Sequence, residues 1–101
     1  MAIMQIQEFA VDEDDRSTTN YDSVSGRLGL DSDPPDGLVV HTAGYTGRKM
    51  FRIASVWESE SHWQHFRDGR LAEALKPLME SGDGNPPDAE YTYELHHYLK
   101  P

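Results

Sequence analysis

The chain has 101 residues, enough for one hydrophobic core and too few for two. Asp plus Glu number 18 against 9 Lys plus Arg, and the net charge of −9 offers no positive footprint to nucleic acid or an anionic membrane surface. Cysteine is absent, which excludes disulfide scaffolds, thiolate metal sites and cysteine nucleophiles.

No apolar run reaches the length of a membrane span. The opening MAIMQIQEFA lacks the basic and then apolar layout of an export signal, so a cytoplasmic protein is expected. Ile3 to Val11 sets Ile3, Gln5, Gln7 and Phe9 against Met4, Ile6 and Glu8, a period of two that predicts a strand. The acidic run Asp12 to Arg16 reads as a solvated connection. Thr18 to Leu28 then spaces Tyr21, Val24 and Leu28 by three and four, as a helix does. Ser17, Thr18 or Thr19 stands where a cap belongs, and Gly29 where the helix would stop.

After the turn-rich Asp31 to Gly37, two β-rich runs follow, Leu38 to Tyr45 and Met50 to Trp57, joined by the short connection Thr46 to Lys49. Ser59 is placed to cap a helix over Glu60 to Phe66, with Trp63 and Phe66 inward and His62 and His65 toward solvent. Gly69 predicts a break or kink. Leu71, Ala74, Leu75 and Leu78 resume the apolar stripe, and Pro77 with the loop Ser81 to Asp88 is expected to end it. Tyr91 to Leu99 reads as a last strand, with Tyr93, Leu95 and His97 on one side. The order β-α-β-β-α-β predicts an α+β, ferredoxin-like single domain over residues 1–101. Its four-stranded antiparallel sheet carries both helices on one face and leaves the other open for a partner.

The residues Val56-Trp57-Glu58-Ser59 close a strand, and an aromatic-bearing helix follows directly. Together with GLVVHTAG and the strand order, this resembles the dimeric α/β-barrel superfamily, near the antibiotic biosynthesis monooxygenases and the haem-degrading monooxygenases. The resemblance implies a homodimer, its two sheets meeting as a barrel, with a pocket between sheet and helices in each subunit. Trp57 matches the Trp that lines that pocket. The haem-degrading branch also needs an Asn near the end of the first strand and a His ligand on the second long helix. Here the strand offers Gln5 or Gln7 and LAEALKPL has no His, so haem is not expected and no cofactor is assigned.

The candidate chemistry rests on few residues. Glu58, His62 and His65 share a helical stripe, but a metal site needs a further converging ligand, and no metal is expected. His41 sits mid-strand, where a half-buried imidazole can serve as acid or base near neutral pH, and His97 is the second candidate base. Either can equally be a satisfied histidine at a dimer seam. Tyr21, Trp57, Phe66 and Tyr93 are candidates to line a flat apolar cavity. Arg52 is a candidate for an anionic ligand group, with Glu8 or Glu94 as the competing partner. With the resemblance, these residues give the expectation of a cofactor-independent oxygenase or cyclase acting on a small aromatic or polyketide-like molecule. The alternative is a non-catalytic small-molecule-binding or assembly module of the same fold.

Overall fold

The alternation of Ile3–Ala10 (β1) becomes a central strand because two others pair with it. The computed structural model describes residues 1–11, 19–30, 32–46, 49–82 and 87–99. The elements follow as Thr19–Leu28 (α1), Leu38–Tyr45 (β2), Met50–Trp57 (β3), Glu60–Phe66 (α2), Ala72–Ser81 (α3) and Ala89–Glu94 (β4). The sheet runs β2-β3-β1-β4, antiparallel at every pairing, and the helices lie on one face. This is the expected ferredoxin-like arrangement. The connection Asp12–Arg16 and the candidate caps Ser17 and Thr18 lie outside the described residues, as do Gly47, Arg48 and residues 83–86.

Register fixes the two faces of the sheet. Ile3 pairs with Trp57, Gln5 with Ser55 and Phe9 with Phe51, and this set points at the helices. Trp57 and Ile3 are each 2% exposed and pack against the buried Trp63 and Phe66 of α2. The Trp57 ring centroid lies 5.6 Å from that of Trp63 and 5.1 Å from that of Phe66. Burying aromatics of this size contributes about 2–3 kcal/mol each, which makes this cluster the anchor of α2 on the sheet. The opposite set, Met4, Ile6, Val40, Val56, Tyr91 and Tyr93, forms the open face. Val40, Tyr91 and Tyr93 are exposed there, and the two Tyr rings stack at 6.5 Å.

Ser59 caps α2 as expected: its hydroxyl accepts from the His62 backbone N–H. At Gly69 the α-helix is interrupted, by a change of winding rather than by a loop. Residues Arg67–Leu71 form one π turn that joins α2 to α3. Pro77 does not end α3, and lies inside it. Its missing N–H forfeits the bond to the Glu73 carbonyl, but both residues lie on the exposed side of the helix. The stop falls instead at Gly82, at φ 79°, as Gly29 at φ 62° ends α1. The last strand is also shorter than its alternation suggested. Glu94 pairs with Ile3, the first residue of β1, and after the Leu95 N–H to Ala2 carbonyl bond there is no β1 backbone left to pair with. Consequently Leu95, His97 and Leu99 do not extend a strand face.

Candidate active site

Across the middle of the helix-side face, register places His41, Ser55, Gln5 and Thr92 side by side on β2, β3, β1 and β4. Neighbouring strands lie about 4.8 Å apart, so these four polar side chains form one rung. A shift of one residue in any strand would turn its member to the open face. Ser55 is 4% exposed and Gln5 2%, whereas His41 is half-buried and Thr92 exposed. On one side of the rung stands the aromatic cluster of Trp57, Trp63 and Phe66.

Two members of the rung, Ser55 and His41, can be followed to a partner. The Trp57 indole Nε1–H donates to Ser55 Oγ at 2.9 Å, which fixes the plane of a nearly inaccessible ring. His41 Nε2 lies 2.7 Å from the Tyr21 hydroxyl, and the two rings are within 5° of parallel. Tyr21 also meets the Phe51 ring edge-on at 5.5 Å. Gln5 alone of the two buried members of the rung has a side chain on which no hydrogen bond ends among the described residues. In the sequence Gln5 stands out only as one of two strand amides, with Gln7; its place beside Ser55 needed the register.

Of the candidate site residues, the fold brings Tyr21, His41, Trp57 and Phe66 to the helix side of the sheet. Tyr93 and Arg52 lie on the opposite face. Arg52 is taken by Glu8: its Nε and Nη2 reach Glu8 Oε2 at 3.0 and 2.5 Å. That hydrogen bond, with the charge of Glu8, raises the guanidinium above its ordinary pKa. His97 is exposed, beyond the end of β4.

The Glu58, His62 and His65 stripe does not assemble. Among the described residues no three His, Asp or Glu side chains converge as a metal site would require. His62 is half-buried rather than solvent-facing, because its ring packs over Gly37 while Nδ1 lies 2.6 Å from Ser59 Oγ. An open groove of about 540 Å³ runs beside it, lined by Asp33, Asp36, His62, His65, Phe66 and Arg70 among others, and His41 is not in its wall. Arg70, in that wall, donates to the carbonyls of Leu28 and Asp33. No helix among the described residues is long and apolar enough to cross a membrane.

No family model matches this chain, and no curated protein matches it. Solved structures do. A protein of unknown function from Nitrosomonas europaea superposes at a TM-score of 0.68 with 16% identity, over 99% of this chain and 94% of that one. A Chloroflexus aurantiacus protein provisionally named an antibiotic biosynthesis monooxygenase gives 0.63 with 10% identity, over 100% of both chains. SnoaB, a cofactor-independent oxygenase from Streptomyces nogalater, gives 0.60 with 11% identity, over 97% of this chain and 95% of that one. At such identities the likeness carries the fold and not the activity. The chain has, over nearly its whole length, the ferredoxin-like fold of these oxygenase-named structures.

Proposed function

We propose that this protein is a cofactor-independent oxygenase of a small aromatic, phenol-bearing substrate. The observation that carries the reading is the 2.7 Å contact between His41 Nε2 and the Tyr21 hydroxyl, on a polar rung beside Trp57. A half-buried imidazole held by a phenol is a positioned acid–base group. The shared fold with an oxygenase that needs no cofactor supports the same reading.

In this mechanism His41 accepts a proton from an acidic ring CH₂ of the substrate, leaving an electron-rich carbanion. The carbanion passes one electron to dioxygen, and the radical pair closes to a C–O bond. His41 returns its proton to give a hydroperoxide, which loses water to leave a carbonyl. One CH₂ and one O₂ thus become one C=O and one H₂O, with every reducing electron drawn from the substrate. Tyr21 orients the imidazole, and the buried cluster of Trp57 and Phe66 keeps β3 and α2 fixed beside the rung. Two copies work together through the open face, where Val40, Tyr91 and Tyr93 are exposed, so that Tyr93 and Arg52 belong to the seam rather than to the pocket.

Oxygen uptake with a panel of hydroxylated anthrones and naphthols tests the reading. Turnover should fall about 10²–10⁴-fold in His41→Ala, the range expected for a positioned acid–base group. Saturable binding of such compounds without oxygen uptake would replace the oxygenase by the non-catalytic binding module. Turnover unchanged in His41→Ala would remove His41 from the mechanism.

A further inference from the structure

The open groove beside α2 takes no part in the proposed reaction. Its volume of about 540 Å³ lies in the range of a small-molecule site, and its two walls differ in chemistry. The turn ahead of β2 supplies Asp33 and Asp36, with Pro34 and Pro35 between them. Across from it, α2 and the π turn supply His62, His65, Phe66 and Arg70. The turn wall is fixed in place. Pro35 is buried, Arg70 Nη2 donates to the Asp33 carbonyl at 2.9 Å, and the Asp33 N–H donates to the Gly29 carbonyl at 2.8 Å. Gly37 lets the His62 ring settle against the backbone, since a Cβ there would fall 2.3 Å from His62 Cγ. A groove held in this way loses little freedom when a ligand enters.

Charge selects the occupant. Asp33 and Asp36 are both exposed at the groove. Arg70 directs Nη2 at the carbonyls of Leu28 and Asp33 and stays 3.9 Å from Asp33 Oδ2, beyond hydrogen-bond distance. Among the described residues no salt bridge forms at Asp36. Two carboxylates against one guanidinium leave the groove negative, within a chain of net charge −9. An anion is repelled there, and a neutral molecule leaves both carboxylates to water. An ammonium ion pairs with them. We infer that the groove is a small-molecule site separate from the polar rung, and that it takes an organic ammonium ion with a flat apolar body. The ammonium group sits between Asp33 and Asp36, and the body lies along Pro34, Pro35 and the edge of Phe66. The site does not depend on the oxygenase activity.

The probes are tryptamine, tryptophol and indole-3-acetate, which share one ring and carry a cationic, a neutral and an anionic end. Each is titrated by calorimetry into the full chain. The wild type should bind tryptamine at least about fivefold more tightly than tryptophol, the scale of two exposed charge contacts, and indole-3-acetate more weakly than either. The preference for tryptamine should shrink as salt is added. In Asp33→Asn with Asp36→Asn the ratio should fall to about one. Affinity for tryptophol, which reports an intact groove, should stay within about twofold. Ser61→Trp, at an exposed position of the groove wall, should weaken all three probes, whereas His41→Ala should change none. Equal affinities in the wild type, a ratio that survives the double Asn variant, or no binding of tryptamine overturns the inference. Tryptamine binding that is lost in His41→Ala and kept in Ser61→Trp places the ligand at the rung and overturns it as well.

Discussion

The hydroxyl of Tyr21 stands 2.7 Å from Nε2 of His41 and ties the first helix to an edge strand across 20 residues of sequence. A β2 strand on the sheet edge is held by one neighbour, so its side chains are less constrained than those of β1 or β3. The Tyr21 contact supplies the missing restraint where the proposed acid–base group sits. Tyr21→Phe should therefore reduce turnover less than His41→Ala does, by about tenfold, with KM little changed. Steady-state oxygen uptake on purified Tyr21→Phe checks this, and an unaltered kcat would show that the phenol does not position the imidazole.

Ser55 and Trp57 form a buried polar contact on the helix side, Ser55 being 4% and Trp57 2% exposed. Ser55→Ala should strand the indole N–H and cost about 1–3 kcal/mol of stability. In a Trp57→Phe background the same substitution should cost less, since no donor remains to be orphaned. Urea denaturation of the four proteins of this double-mutant cycle measures the coupling.

Gly37 has φ 85°, and a Cβ added there would fall 2.3 Å from His62 Cγ. Gly37→Ala should destabilise by about 3 kcal/mol, the backbone strain adding to the steric overlap. Gly37→Ala with His62→Ala should recover the steric part and keep the backbone part. Equal losses in the single and double variants would show that the His62 ring simply moves aside.

The open face should behave as an interface. Native mass spectrometry of the wild type should show a homodimer. Tyr91→Lys with Tyr93→Lys should give a folded monomer, with far-UV circular dichroism unchanged. A wild-type monomer at micromolar concentration would count against association through this face.

Asp68 lies in the π turn that joins α2 to α3. Its hydrogen bond from Arg67, at 3.0 Å, holds it below the ordinary carboxylate range. A depressed pKa means the folded state is favoured above the unfolded Asp value, and that contribution fades as pH falls through the folded value. Both side chains are largely exposed, so the effect on stability is small. Carboxyl carbon NMR should place the Asp68 midpoint below that of a free Asp, and Arg67→Gln should raise it.

The sequence by itself determined the element order, because each strand and helix carries its own periodicity. β2 and β3 match their alternation at both ends, and Ser59 and Gly29 mark a helix start and a helix stop through chemistry that acts within a few residues. The same local signals failed where the answer depended on a distant neighbour. Tyr91 to Leu99 alternates throughout, but β4 stops at Glu94 since β1 begins at Ile3. Pro77 is a helix breaker by type, yet it lies inside α3, at an exposed position of that helix. The separation of Tyr93 and Arg52 from Tyr21, His41 and Trp57 was equally out of reach. Alternation tells which residues share a side of one strand, whereas only pairing register tells which sides of four strands coincide. The rung of His41, Ser55, Gln5 and Thr92, drawn from positions up to 87 residues apart in the chain, exists only once those registers are set.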